Sequence, residues 1–179
     1  MPISKTNELL LVLGGARSGK SSWALQYTED HYRRYLFLAT ARVLDEEMAE
    51  RVRLHKDVRG PSWHLLEEPL EIPDALREKC GDFEAVLIDC LTVWLSNVLL
   101  EKGEEGIGPY RDNLLNILSS RSNTLIIVSN EVGMGIVPET PLGRKFRDIA
   151  GETNQKIAAL ADKVILMAAG LPMYLKGAP

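Results

Sequence analysis

The chain has 179 residues, of which 45% are hydrophobic and 26% charged, and this composition fits one folded domain over residues 1–179. Its 21 basic and 25 acidic residues give a net charge of −4, and no lysine- or arginine-rich run stands out. Nucleic acid is therefore not expected as a partner. The first residues lack the long apolar centre of a signal peptide, and no apolar run approaches a bilayer span. Cys80 and Cys90 are not spaced as metal ligands and suit a reducing compartment, so we expect a cytoplasmic protein without a membrane span.

Five continuous apolar runs along the chain predict buried strands. None of them alternates apolar with polar residues, which indicates strands covered on both faces, as in a parallel sheet packed between helices. The predicted strands are Leu9–Leu13, Tyr35–Ala39, Ala85–Asp89, Thr124–Ser129 and Lys163–Ala168.

Helical segments are predicted between these strands, so the fold class is α/β, with a doubly wound, mostly parallel sheet. The glycine- and glutamate-rich stretch Glu101–Pro109 is predicted to be a surface loop. The predicted helices are Ser22–Tyr32, Asp45–Val58, Leu91–Leu100, Tyr110–Ser119 and Pro141–Ala161. The last helix has an apolar stripe that we interpret as core packing, formed by Phe146, Ile149, Ile157 and Leu160.

The segment after the first strand reads GGARSGKS and fits the pattern G-x-x-x-x-G-K-[ST] of a phosphate-binding loop, or P-loop. Glycines let the backbone N–H groups point at phosphate oxygens, Lys20 reaches the β- and γ-phosphates, and the Ser21 hydroxyl can ligate Mg²⁺. A glycine-rich turn with a stray lysine is the alternative, but a strand before the motif and a helix after it favour the phosphate site. The predicted nucleotide contacts here are Gly14, Gly15, Ala16, Arg17, Ser18, Gly19, Lys20 and Ser21.

A P-loop that uses Mg²⁺ needs a carboxylate near the metal. Asp89 ends the buried run AVLID, and we favour it as that carboxylate because four apolar residues of a strand precede it. The alternative is that Asp89 caps the helix that begins in CLTVW. Ser21 and Asp89 are thus the predicted Mg²⁺ ligands, and the two motifs indicate an enzyme or a switch that binds a magnesium nucleotide.

The sequence has three histidines. His31 ends the first predicted helix, where a cation suits the helix dipole, and His64 follows Trp63 in a predicted surface segment. His55 lies near the end of the apolar stripe of the second predicted helix, and spacing alone favours a half-buried structural histidine. However, cations flank it, which favours a neutral imidazole and attracts phosphate, so a nucleophile at phosphorus is the other interpretation. The flanking cations are Arg51, Arg53, Lys56 and Arg59.

Several stretches, in one order over nearly the whole chain, carry a family resemblance. They are Gly14–Ser21, Ala39–Ala41 with Asp45–Lys56, Ile88–Asn97, Val128–Glu139 and Gly143–Ala158. The P-loop alone is common to many NTPases, whereas NEVGMGIVP followed by FRDIAGETNQ is specific. Together these stretches resemble the bifunctional adenosylcobinamide kinase / adenosylcobinamide-phosphate guanylyltransferase family of cobalamin biosynthesis.

The resemblance implies two reactions and a homotrimer. In the first reaction, ATP or GTP phosphorylates the aminopropanol hydroxyl of adenosylcobinamide. In the second, GTP gives its GMP group to that phosphate, which releases pyrophosphate and forms adenosylcobinamide-GDP. The family passes through GMP bonded to a histidine, and the matching residue of this chain is His55, so that His55 and Lys20 are the expected catalytic residues.

The resemblance also implies nucleotide contacts outside the P-loop. NEVGMGIVP (130–138) is expected at the carboxyl end of a strand, as a wall of the site near the substrate or a neighbouring subunit, with Asn130 and Glu131 as candidates to orient the acceptor. Two alternatives remain: a P-loop kinase of a small metabolite without guanylylation, and a nucleotide-dependent switch, although the chain lacks the N-K-x-D string of signalling GTPases. The implied further contacts are Ala39, Thr40, Ala41, Lys56, Asp57, Val58, Arg59, Glu67 and Asp89.

Overall fold

The structure is a computed structural model that describes residues 7–42, 60 and 62–178. In chain order its elements are β1 (Leu9–Gly14), α1 (Lys20–His31), β2 (Tyr35–Ala39), β3 (His64–Glu67), α2 (Ile72–Lys79), β4 (Ala85–Asp89), α3 (Leu91–Ser119), β5 (Thr124–Asn130), α4 (Pro141–Leu160), β6 (Lys163–Ala168) and β7 (Leu171–Lys176). The predicted helix Asp45–Val58 lies outside the described residues.

The strands form one sheet in the order β3-β2-β4-β5-β1-β6-β7. All neighbouring strands are parallel except β6 and β7, which are antiparallel. The predicted α/β fold with a mostly parallel sheet is therefore confirmed. None of the helices in the described part of the chain is long and apolar enough to cross a bilayer.

Each face of the sheet carries its own apolar core, because successive residues of a strand point to opposite faces. In β1, Leu9 and Leu11 pack on the side of α2, α3 and α4, whereas Leu10 and Val12 pack on the side of α1. All four side chains are fully buried. This two-sided burial explains why β1 is apolar at every position.

The bounds of the central strands agree closely with the sequence-based predictions. β2, β4 and β6 have the predicted ends, and β1 and β5 each extend one residue further, to Gly14 and Asn130. In α4, core packing is confirmed for Ile149 and Ile157, which are buried. It is wrong for Leu160, which lies in the last turn and is 37% exposed.

The predicted surface loop Glu101–Pro109 is wrong, because α3 (Leu91–Ser119) consists of two helical segments that meet at a kink at Gly103, and together they cover this stretch. Its glycines and proline lower helix propensity, but the departure from helical geometry is confined to Gly103, with φ 70°. Ile107 is only 4% exposed and packs in the core. The helical path buries the Ile107 side chain in the core, and this burial outweighs the weak local helix propensity.

Three elements have no counterpart in the sequence-based prediction: β3, α2 and β7. Both strands lie at the edges of the sheet, and most of their side chains are exposed. His64, in β3, is among the exposed residues. Edge strands are covered less than central ones and so lack the continuous apolar run that predicted the others.

Candidate functional site

The carboxyl ends of the parallel strands bring several predicted site residues to one edge of the sheet. Ala39 of β2 pairs with Glu67 of β3 on one side and with Asp89 of β4 on the other. Gly14 of β1 pairs with Asn130 of β5. Open α/β sheets bind their ligands at this edge. Because β5 separates β4 from β1, Asp89 is two strands from Gly14, or about 10 Å at normal strand spacing.

The conformation of the P-loop requires glycine at two positions. A Cβ atom added to Gly14 would lie 2.4 Å from Ser18 Oγ and 2.8 Å from the Met167 carbonyl oxygen. Gly19 has φ +91°, and an added Cβ would approach Gly170 Cα to 3.2 Å. The Gly170 N–H also donates a hydrogen bond of 3.0 Å to the Ser18 carbonyl. The turn between β6 and β7 therefore packs against the loop and fixes its path.

The expected phosphate-binding groups stand at the exposed end of this loop. Residues 15–17 are exposed, and Lys20 and Ser21 begin α1. Lys20 Nζ donates a hydrogen bond of 3.0 Å to the Gly15 carbonyl, across the loop. Gly19 is the N-cap residue of α1 and has no side chain, so no side chain of the N-cap residue occupies the first N–H groups of the helix. A helix N-terminus next to an ammonium group is a favourable anion site.

Asp89 stands at the end of β4, one residue before the N-cap position of α3. The residue before α3 is Cys90, whose side chain makes no capping hydrogen bond. Burial, and next the negative charge of Asp89, raise the pKa of Cys90 to about 12, while the positive charge of Lys20 opposes the shift. Because both charges act on the Cys90 thiol, Lys20 and Asp89 both lie within electrostatic range of this side chain.

Thr40 joins the end of β2 to the start of α3. It is wholly buried, and its hydroxyl donates to the Cys90 carbonyl and accepts from the Cys90 N–H, both at 2.8 Å. Asn97 Nδ2 donates to the Thr40 carbonyl at 2.9 Å. The Thr40 side chain is therefore engaged with the backbone next to Asp89 and acts as a positioning residue. Its neighbours Ala39 and Ala41 are half-buried.

A second set of buried polar side chains holds the end of β5: Thr92, Ser129 and Asn154, to which the sequence analysis gave no role. The Asn130 N–H donates to Thr92 Oγ1 at 2.7 Å. Ser129 Oγ donates to Asn154 Oδ1 at 2.8 Å, and Asn154 Nδ2 donates to the Asn130 carbonyl at 3.3 Å. These bonds tie β5 to α3 and α4. In the sequence, the signal that could have predicted this role is that these polar residues lie within otherwise apolar stretches.

Glu131 follows β5 beside the P-loop, as expected for the NEVGMGIVP segment. Its N–H donates to the Gly14 carbonyl at 3.0 Å, and its Oε1 accepts from the Gly133 N–H at 2.6 Å. Beyond this turn the apolar side chains point outward: Met134 is 79% exposed and Ile136 96%. The carboxyl-edge location is confirmed, and the role of Glu131 stays a prediction.

The remaining predicted residues are Glu67 and those around the histidine. Glu67 is exposed at the end of β3. The other predicted contacts lie outside the described residues: His55, Lys56, Asp57, Val58 and Arg59. Cys80 and Cys90 are buried free thiols.

The donor atoms at the edge of the sheet suit Mg²⁺ that arrives with a nucleotide. The described residues hold no group of three or more His, Cys, Asp or Glu side chains able to bind a metal. Ser21 and Asp89 supply a hydroxyl and a carboxylate, which are hard oxygen donors. Mg²⁺ is normally held by one or two such groups together with phosphate oxygens, so the residues present fit this ion.

Solved structures share the fold at low sequence identity. The RadB recombinase superposes with a TM-score of 0.54 and 15% identity, over 89% of this chain and 74% of that one. A solved ATPase domain superposes with a TM-score of 0.50 and 12% identity, over 89% of this chain and 69% of that one. These similarities support a P-loop α/β fold.

Sequence comparison identifies much closer relatives. The bifunctional adenosylcobalamin biosynthesis protein CobP of Pseudomonas aeruginosa is 41% identical over 94% of this chain and 98% of its own. The corresponding protein CobU of Escherichia coli is 35% identical over 94% of this chain and 99% of its own. The model of the family described as cobinamide kinase / cobinamide phosphate guanyltransferase matches residues 10–175. The chain therefore belongs to this family.

Proposed function

We propose that this chain phosphorylates adenosylcobinamide and then transfers GMP from GTP to the product. The observation that supports this most strongly is the direct contact between the two motifs. The Glu131 N–H, in the segment specific to the family, donates to the Gly14 carbonyl of the P-loop at 3.0 Å. The nucleotide-binding loop and the proposed acceptor-binding segment are thus one connected piece of the site.

In the kinase reaction the protein acts mainly by positioning and by neutralising charge. The acceptor hydroxyl oxygen attacks the γ-phosphorus and releases its proton to solvent, the bond from that phosphorus to the β–γ bridging oxygen breaks, and the nucleoside diphosphate leaves. Lys20 and the N-terminus of α1 stabilise negative charge on the phosphates. Glu131 orients the acceptor hydroxyl. Mg²⁺, held by Ser21 and Asp89, would neutralise phosphate charge when bound with the nucleotide.

In the guanylyltransferase reaction His55 is the nucleophile. An imidazole nitrogen forms a bond to the α-phosphorus of GTP as the bond to the α–β bridging oxygen breaks, and pyrophosphate leaves. A phosphate oxygen of adenosylcobinamide phosphate then attacks the same phosphorus. The P–N bond breaks, and His55 is regenerated. Two in-line displacements replace one transfer between two anionic substrates.

Other features of the proposed enzyme follow from the family and the sequence. We propose a single-domain cytoplasmic homotrimer, with ATP or GTP as the kinase donor and no nucleic-acid partner. The P-loop residues and Asp89 contact nucleotide, together with residues from three other segments. These are Ala39, Thr40, Ala41, Lys56, Asp57, Val58, Arg59 and Glu67, with Thr40 acting through its backbone contacts.

The test uses GTP labelled at the α-phosphate. We expect protein-bound label that is labile to acid and stable to base, and that moves to corrinoid when adenosylcobinamide phosphate is added. His55→Ala should abolish the label and guanylyl transfer while retaining part of the kinase activity. His64→Ala, at an exposed position, serves as the control and should label normally.

Each alternative function predicts a different result in this experiment. A kinase without guanylylation leaves no label on the protein but still phosphorylates the corrinoid. A nucleotide switch hydrolyses GTP slowly and does not respond to cobinamide. Equal loss of both activities in His55→Ala would show that His55 is structural.

A further inference from the structure

A groove of about 710 Å³ lies between α4 and the strands at one side of the sheet. Leu13 and Glu131 line it near the carboxyl edge. Leu13 directly precedes Gly14 of the P-loop and packs on the face of the sheet opposite α1. Because Glu131 also contacts Gly14, the groove opens beside the P-loop, on the α4 side of the sheet.

The α4 wall of the groove is shaped by small residues and carries polar groups. A Cβ atom added to Gly151 would meet no heavy atom within 4 Å, and Ala158 lies two helical turns further along the same face. Arg147 and Gln155 also line the groove. Arg147 Nη1 is buried and makes no hydrogen bond to any described residue.

The opposite wall is apolar and continues along β7. Val164 and Leu175 line the groove. Leu171, Met173 and Leu175, at alternate positions of β7, are each more than half exposed. Met173 pairs with Leu166 of β6, and Leu166 packs on the side of α4. Leu171 and Met173 therefore lie on the sheet face that α4 covers. The pairing shifts register beyond Tyr174, and Leu175 lines the same groove, so the three side chains extend the apolar wall beyond α4.

We propose that this groove seats the corrin ring of the acceptor; the proposal rests on the proposed function and names where its substrate binds. A corrin is a flat ring system with methyl groups and several neutral carboxamide side chains. The apolar wall suits the ring and its methyl groups, and the polar side chains of the α4 wall, Arg147 and Gln155, suit the carboxamides. The charged groups lining the groove are of mixed sign: Glu131, Arg147, Asp148, Glu152 and Lys176.

This charge balance and location distinguish the groove from a second nucleotide site. Three acidic and two basic residues line it, which does not favour a polyphosphate. A ring held here has its aminopropanol arm at the Glu131 end, beside the P-loop. The volume falls within the usual range of ligand pockets, about 300–1,000 Å³.

Substitutions in the groove test the proposal in the full-length protein. Gly151→Leu fills the open space, and we expect the dissociation constant of adenosylcobinamide, measured by titration of the corrinoid spectrum, to rise at least about tenfold. Gly151→Ala should have a much smaller effect. Gln155→Ala, which removes a polar group at an exposed position, should raise the dissociation constant about threefold. Lys156→Ala is its matched control, because Lys156 is equally exposed but does not line the groove, and it should bind the corrinoid normally.

Labelling with α-labelled GTP, which needs no corrinoid, separates the possible outcomes. Weaker corrinoid binding with retained labelling supports the groove. Unchanged corrinoid binding in both Gly151→Leu and Gln155→Ala overturns it while the proposed function stands. A raised KM for GTP would make the groove a nucleotide site, and a changed mass by light scattering in Gly151→Leu would make it a contact between copies; either result overturns the proposal. If the unmodified chain neither labels nor phosphorylates corrinoid, it is the proposed function that fails.

Discussion

The P-loop and the NEVGMGIVP segment lie side by side at the carboxyl edge of the sheet but are built differently. In the P-loop, a Cβ atom has no room at Gly14, and Gly19 has a φ of +91° that disfavours any side chain. In the other segment, Met134 and Ile136 are largely exposed. The proposed phosphate recognition thus depends on a backbone shape that neighbouring elements fix, whereas the proposed acceptor contacts extend from an exposed segment. We therefore expect P-loop substitutions to impair both reactions and Glu131 substitutions to affect the acceptor selectively.

The largest expected effect is that of removing the P-loop ammonium group. Lys20→Ala should lower kcat of both reactions by about a hundredfold to a thousandfold, because Lys20 stabilises phosphate charge that develops in each transition state. Steady-state assays of each reaction measure this. Lys79→Ala, at an exposed position of α2, is the control. Retention of either activity within tenfold would show that the loop does not serve that reaction.

Substitutions of Thr40 measure how much its buried hydroxyl contributes to the stability of the carboxyl edge of the sheet. Thr40→Val leaves the Cys90 N–H and carbonyl without the Thr40 partner and should lower the free energy of unfolding by about 3 kcal/mol. Thr40→Ser keeps the hydroxyl and loses one buried methyl group, which should cost about 1 kcal/mol. Urea denaturation of both variants compares them. Equal losses would mean that the methyl group, and not the hydroxyl, matters.

Two adjacent glycines provide a matched pair within the P-loop. Gly14→Ala forces a Cβ atom against Ser18 Oγ and the Met167 carbonyl and should reduce the free energy of unfolding by about 2 kcal/mol. A Cβ at Gly15 meets nothing within 4 Å, so Gly15→Ala should change it by less than about 0.5 kcal/mol. Thermal or urea unfolding would measure the free energy of unfolding of both variants, and a GTP titration would measure their nucleotide binding. The reverse order of stabilities would contradict the described packing.

The smallest expected effect is that of neutralising Glu131. Glu131→Gln keeps an oxygen that can accept from the Gly133 N–H but loses the charge. We expect the KM for the corrinoid to rise about fivefold, or ~1 kcal/mol, with little change in the KM for GTP. Glu139→Gln, in the same exposed segment, is the matched control. If both activities and both Michaelis constants are unchanged in Glu131→Gln, its proposed role in orienting the acceptor is wrong.

The accuracy of the sequence-based predictions followed burial. β2, β4 and β6 were predicted to the residue because strands buried on both faces are continuously apolar. β3 and β7 were missed because edge strands expose polar and apolar side chains alike. The loop predicted over Glu101–Pro109 was wrong because local propensity did not reveal that Ile107 is buried against the core.

The position of the P-loop, Gly14–Ser21, was predictable because one short motif contains all of its parts, and its nucleotide contacts stay a prediction. The role of Thr40 was not, because its partner Cys90 is 50 residues away along the chain. For the same reason the role of Asn154, which binds the end of β5, was not predicted. In the strand order, β5 lies between β4, which carries Asp89, and β1, which leads into the P-loop. This order also follows from long-range packing, which cannot be read from a single sequence.

The most direct test of the central claim, one P-loop site that performs both transfers, follows the α-phosphate of GTP. The unmodified protein is incubated with α-labelled GTP, digested, and the labelled peptide is mapped before and after adenosylcobinamide phosphate is added. We expect acid-labile label on His55 that discharges into adenosylcobinamide-GDP, and labelling at least about a hundredfold slower in Lys20→Ala. Label on another residue, or label that corrinoid does not discharge, would contradict the claim.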